Sequence, residues 1–351
     1  MLAPMPMSRR LLLSAALAPA VAGRAQARAI LPAAPPTPEL TAAWAGFRQA
    51  FLRPEGRVVD TGNGGISHSE GQGWAMFCAE RCANRADFDL IWNWTRQALG
   101  RPRDRLLVWR FVPGPLRGAP DGNNAADGDL FAAAALLLAA HRWDDAGYAE
   151  AGMAMARDVL RLLVRQVAGL TVLLPGLDGF EDATSVTLNP SYYAFPILGV
   201  LARAVPDPVW LRLAADGLEL LRRARFGRWG LPPDWLVLRR WDGALSLPEG
   251  WPKRFSFDAV RVPFYLSWAD LREEPAVQAA LGFWNDSAHP VPPAWADLVS
   301  DSVAPYSASA GLREVVRFVA GGPSYQNQPK VDAREDYYSA ILRILAITTL
   351  K

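Results

Sequence analysis

Ser69-Glu70-Gly71-Gln72-Gly73-Trp74-Ala75-Met76 opens the reading of this chain. It sets one carboxylate at the mouth of a helix, between glycines, ahead of an apolar run. Two more carboxylates stand in similar settings. Asp127 lies in Ala125-Ala126-Asp127-Gly128-Asp129, and Asp258 in Phe255-Ser256-Phe257-Asp258-Ala259. Each has a bland reading. Asp is a favoured helix N-cap, and an acid in a first turn suits the helix dipole.

Working outward, apolar residues recur at helical spacing along most of the chain. Thr37 caps a helix with Pro38 at its first position. That helix carries Leu40, Trp44, Phe47 and Phe51, and Pro54 ends it. The spacing predicts further helices from Ser69, over 86–99, over 127–141 (apolar almost all round), and over 146–167. More are expected at about 190–204, 207–225, 257–272, 306–319 and 334–348. Strand signal is confined to Leu170 to Leu174 and Trp235 to Leu238. Such a set of helices must bury its apolar faces mutually. A double ring of helices does so and gathers the helix-entry loops at one end.

The chain has 351 residues, 51% of them apolar, and a formal charge of +2. That balance excludes a partner chosen by bulk positive charge, and no nucleic acid partner is expected. Arg9 and Arg10 precede an apolar run from Leu11 to Ala22, broken by Pro19 and too short to span a bilayer. Residues 1–27 therefore read as an export signal, ordinary or twin-arginine, ending at Ala25-Gln26-Ala27. Residues 28–38 read as a linker and 39–351 as a single catalytic domain. The expected location is periplasmic or secreted, with no membrane span in the mature chain. Cys78 and Cys82, four apart on one helix, read as small buried apolar residues. With three histidines, no metal site is expected, and His68, two residues before Glu70, is a candidate to line the site but reads first as a surface or turn residue.

Three acids on separate helix-entry segments, in a chain with fourteen tryptophans, point to glycoside cleavage. That chemistry uses one carboxylic acid to protonate the leaving oxygen and one carboxylate to activate water. Several blocks carry a resemblance. They are Ser69 to Gly73 with its helix, Asp127-Gly128-Asp129 with a helix ending at Trp143, Asn189-Pro190-Ser191-Tyr192-Tyr193, and Phe257-Asp258-Ala259-Val260-Arg261-Val262-Pro263. In order and spacing they resemble the family 8 glycoside hydrolases, and among these the periplasmic cellulases associated with bacterial cellulose synthesis.

The resemblance implies an all-α fold, an (α/α)6 barrel with minor short β segments, and an inverting mechanism without cofactor. It makes Glu70 the general acid, Asp258 the general base and Asp127 the acid that holds the sugar at the cleavage point. It makes Trp109 a sugar-stacking ring, Tyr192 a neighbour of the catalytic water and Arg261 an arginine of the cleft. It implies a β-1,4-glucan substrate and the cellulose synthase and export machinery as a partner. Xylan, chitosan or mixed-linkage glucan are alternative substrates, and a non-catalytic glycan-binding protein is an alternative class. Trp74-Ala75, Ala126 and Phe257 depart from the family pattern and remove hydroxyls around the site. Asp127, ionised close to Glu70, is expected to raise the pKa of the acid. A helix N-terminus or Arg261 is expected to keep Asp258 ionised.

Overall fold

A computed structural model of the chain describes residues 34–114, 121–322 and 335–349. The expected signal, 1–27, and most of the expected linker, 28–38, lie outside the described residues. Eleven α-helices stand among those described: α1 (Pro38–Phe51), α2 (Ser69–Arg81), α3 (Arg85–Ala98), α4 (Ala126–Trp143), α5 (Ala146–Leu163), α6 (Phe195–Ala204), α7 (Pro208–Arg223), α8 (Arg261–Trp268), α9 (Pro275–Trp284), α10 (Ala310–Val319) and α11 (Tyr337–Thr348). Helix α2 packs on α4, α4 on α6, α6 on α8, α8 on α10, α10 on α11, and α11 back on α2. The other five pack against this ring: α1 on α11, α3 on α2, α5 on α4, α7 on α6, and α9 on α8 and α10. This is the expected all-α arrangement of helical hairpins.

Sequence explains which helices lie inside. Helices α2 and α4 bury nearly every position of their first halves, polar ones included. The outer α3, α5 and α7 bury one stripe each, as amphipathic helices do. The expected N-cap of α1 is present, with Thr37 accepting from the Leu40 N–H at 3.2 Å. Cys78 is buried, Cys82 half-buried, and both are free thiols. Burial pushes the Cys82 thiol up to about 12, so it stays protonated and inert.

The strands are short. They are β1 (Ser67–His68), β2 (Arg110–Phe111), β3 (Val164–Val167), β4 (Leu170–Leu173), β5 (Ser185–Leu188), β6 (Leu236–Arg239), β7 (Leu245–Ser246), β8 (Arg254–Phe255) and β9 (Ala296–Asp297). They pair antiparallel as β1–β2, β3–β4, β5–β6–β7 and β8–β9. Three expectations need correction. The helix expected to reach Val167 stops at Leu163, because Ala168 and Gly169, at φ 50° and 80°, turn β3 onto β4. The helix expected over 257–272 covers only Arg261–Trp268. Helix α9 was not anticipated, although Pro275 stands at its first position.

Two glycines decide how close α2 and α4 come. A Cβ on Gly128 would lie 2.2 Å from Ser69 Oγ and 2.6 Å from Glu70 N, and one on Gly73 would lie 3.0 Å from the Gly128 oxygen. The helices therefore touch backbone to backbone at the level of Glu70 and Asp127. A Gly128→Ala substitution must push α2 and α4 apart. A loss of about 1–3 kcal/mol is expected from such overpacking, read by thermal or urea unfolding. A fully stable variant would show that the contact yields.

Candidate active site

Arg261 is the centre of the site. It opens α8, and its side chain is only 2% exposed. One terminal nitrogen, Nη1, donates to Glu70 Oε2 and lies 3.3 Å from Asp127 Oδ2. The other, Nη2, donates to Asp258 Oδ1. All three acids singled out in the sequence therefore meet on one guanidinium. Their exposures grade from the floor outward: Asp127 6%, Glu70 18%, Asp258 30%. Asp127 is the floor, and the other two can reach a ligand. Beneath the guanidinium lie the rings of Trp74 and Tyr192, with centroids at 5.2 and 5.9 Å. Trp74, one of the departures from the family pattern, thus supplies an aromatic face to the buried cation.

Local structure places each acid. Glu70 is the second residue of α2, within the first turn after the cap. Its neighbour Ser69 is tied down by a bond from its N–H to the Trp109 carbonyl, 3.0 Å. Asp127 does not cap α4. The cap is Ala125, without a side-chain bond, and Asp127 lies inside the first turn with Oδ1 accepting from the Gly128 N–H at 2.8 Å. Asp258 lies in the turn before α8, not in the helix. Asp234 shapes that turn: its Oδ1 accepts from the N–H groups of Ser256 (2.9 Å) and Ala259 (2.8 Å), and its Oδ2 bonds the Ser256 hydroxyl. Asp234 carries no motif in the sequence and was missed. The Pro232-Pro233-Asp234 turn that precedes β6 was the available signal.

A charge count explains the electrostatics. Three carboxylates against one guanidinium leave excess negative charge in a desolvated place, so protons are retained. Burial, then the adjacent Glu70, push Asp127 up to about 8, although Arg261 pulls against them. The charges of Glu70 and Asp127 thus interact, and Asp127 is pushed upward. Burial also raises Asp258 above its ordinary value. Arg261 and the Asn189 side chain oppose that rise, and the Asp127 charge adds to it. Of the two groups expected to keep Asp258 ionised, Arg261 does pull its carboxyl downward, against the rise from burial. Its turn lies outside the helix, so no helix terminus offsets its burial. Burial first, and the Asp127 and Asp258 charges second, hold the Tyr192 phenol well above its usual range. It remains a donor facing both acids.

The remaining sequence candidate stands beside the donor. Trp109 is half-buried. Arg110 covers one face of its ring at 4.4 Å, and its indole N–H donates to Asp121 Oδ2 at 2.8 Å. The pairing of β1 with β2 and the Ser69–Trp109 bond fix it next to Glu70. Asp129, two residues after Asp127, is fully buried and bonds the Leu107 N–H (2.7 Å) and the Asn124 amide (2.7 Å). It braces the segment that presents Trp109.

The family model described as glycosyl hydrolases family 8 matches residues 20–350. The chain belongs to glycoside hydrolase family 8. A protein described as a probable endoglucanase from Novacetimonas hansenii is 44% identical, over 89% of this chain and 91% of its own length. An endoglucanase from Cellulomonas uda is 38% identical over 80% of this chain and 78% of its length. The solved endo-beta-1,4-glucanase of Acetobacter xylinum superposes with a TM-score of 0.83 at 42% identity, covering 89% of this chain and 98% of that one. The chain is thus a family 8 enzyme, a glycoside hydrolase with the (α/α)6 architecture. No helix among the described residues is long and apolar enough to cross a membrane.

Asp127 links the site to stability. Its carboxyl moves from an ordinary 3.8 to about 8 on folding. The folded enzyme therefore binds more protons than the unfolded chain between those values. Its contribution is present at low pH and lost as pH rises toward 8. Asp127→Asn cannot lose a proton there. The melting temperature of the parent should fall relative to the variant between about pH 4 and 8, measured by scanning calorimetry. A constant difference across that range would contradict the assignment.

Proposed function

We propose that this family 8 enzyme cleaves internal β-1,4 linkages of a cellulose-like glucan by a single displacement with inversion. The observation that carries the reading is the meeting of Glu70, Asp127 and Asp258 on Arg261. Glu70 gives its proton to the glycosidic oxygen. Asp258 takes a proton from a water, and that water attacks the anomeric carbon from the opposite face of the ring. Inversion needs the two carboxyls about 6.5–9.5 Å apart, so that water fits beside the base.

Asp127, at the floor and holding a proton near neutrality, is suited to bond a sugar hydroxyl at the cleavage point. Arg261 orients the acids, Tyr192 donates toward the water, and Trp109 offers the open face of its indole to a pyranose. The likeness to the endo-beta-1,4-glucanase of Acetobacter xylinum supports a β-1,4-glucan as substrate, and that to the probable endoglucanase of Novacetimonas hansenii supports an endo-acting glucanase. The same reading extends to export to the periplasm or beyond and to a role beside the cellulose synthase machinery. Xylan, chitosan and mixed-linkage glucan are the competing substrates. The departures at Trp74, Ala126 and Phe257 leave the acids in place, which disfavours a purely glycan-binding protein.

Proton NMR of a fresh cello-oligosaccharide digest tests the chemistry. Inversion yields the α-anomer first. Early β-anomer would overturn the mechanism. Glu70→Gln and Asp258→Asn should each lower kcat by about 10²–10⁴-fold, with the fold retained by circular dichroism. Reducing-sugar release from carboxymethylcellulose, xylan and chitosan, compared at equal enzyme, identifies the glycan. Turnover of xylan or chitosan alone would replace the glucanase assignment.

A further inference from the structure

The cap of α2 is a histidine. Caps are ordinarily Ser, Thr, Asp or Asn. Ser69 is adjacent, yet its hydroxyl is buried without a hydrogen-bond partner. Instead His68 Nδ1 accepts from the Gly71 N–H at 3.0 Å. The opposite ring nitrogen, Nε2, lies 3.3 Å from Asp60 Oδ2. Asp60 is itself held, because its Oδ1 accepts from the Gly62 N–H at 3.0 Å. An imidazole that accepts at Nδ1 carries its one proton on Nε2, so it donates to Asp60.

The ring is enclosed on its other sides. Its Nδ1 lies 3.8 Å from Glu70 Oε1, and Tyr337 of α11 packs edge-on at 5.5 Å. Gly71 leaves no slack: a Cβ there would come within 2.6 Å of the Tyr337 hydroxyl and 3.1 Å of the imidazole Cε1. The sequence reading of His68 as a surface or turn residue is therefore corrected. It is enclosed by Asp60, Glu70 and Tyr337, with Asp127 on α4 adding a more distant negative charge.

We propose that His68 is a positioning residue for the proton donor, oriented by Asp60, whose neutral imidazole sets the first turn of α2 and thereby aims Glu70. A second proton can enter only at Nδ1. That proton abolishes the bond from Gly71 and turns the ring into a cation against the Glu70 carboxylate. The two states of His68 thus hold the donor differently. Burial pulls the imidazole pKa down, but the Asp60 hydrogen bond and the Glu70 and Asp60 charges outweigh it, and the net direction is upward from 6.5. This inference rests on Glu70 being the donor; the pairing itself can be tested without turnover.

The decisive measurement is a ¹⁵N NMR titration of His68 in the intact chain. The Nε2–H form is expected at high pH, with a midpoint above 6.5 that falls in Glu70→Gln and in Asp60→Asn. A proton on Nδ1 in the neutral form, or a midpoint indifferent to both substitutions, would overturn the proposal. Kinetics supplies the second arm. His68→Asn keeps a capping oxygen but loses the Asp60 link. It should lower kcat by about tenfold with KM within about twofold, and displace the acid limb of the pH profile. Asp60→Asn should reproduce the loss, and the double variant should add little to it. Parent-like kcat and pH profile in His68→Asn, or losses that multiply, would refute the role. A parent enzyme inactive on every β-glucan would refute the functional reading instead, and leave the titration result standing.

Discussion

A single buried cation governs this molecule. The Arg261 guanidinium is almost wholly removed from water, and such a charge is tolerable only when fully paired. Its partners come from α2, α4 and the turn before α8, three segments far apart in the chain. The ring of helices must therefore close with enough accuracy to bring their entry ends onto one side chain. Trp74 and Tyr192 complete the enclosure with aromatic faces. Stability and chemistry share the same atoms here.

The surplus of carboxyls over cations is what makes the site useful. Were the negative charges matched one to one, every acid would stay ionised and none could protonate a leaving group. With three acids on one arginine, the site retains a proton near neutrality, and Asp127 shows it most strongly. Exposure then separates the tasks. The floor acid has little access to water, whereas Glu70 and Asp258 open toward a ligand. Around them stand acids with structural duties, Asp234 and Asp129 buried and Asp60 half-buried. Asp234 grips the base turn, Asp129 braces the Trp109 segment, and Asp60 orients His68. Burial pushes Asp234 up to about 7 and Asp129 up to about 8. Each bonds backbone or amide N–H groups, so the same neighbourhood that costs desolvation also satisfies the loops it holds.

Legibility followed the length scale of each signal. Helix existence was readable where apolar residues kept their spacing over three or more turns, as in α1, α3 and α4. It failed where a local turn cut the pattern. Ala168-Gly169 converts the end of a predicted helix into a hairpin, and the Asp234 grip holds Phe257 to Val260 out of α8. The three site acids were found by their settings and by family resemblance. Asp234, Asp60 and His68 were not, because a lone Asp or His in a loop reads the same whether it faces solvent or a buried N–H.

What the amino-acid sequence determined by itself was most of the helices, the capped start of α1 and the family, and it singled out three acids, because periodicity and short motifs are local properties of the chain. Tertiary structure alone decided that these acids share one arginine, that burial pushes Asp127 and Asp258 upward, and that a histidine caps α2. Those outcomes depend on the distances and water exclusion created when α2 and α4 meet at Gly73 and Gly128, and no local pattern encodes them.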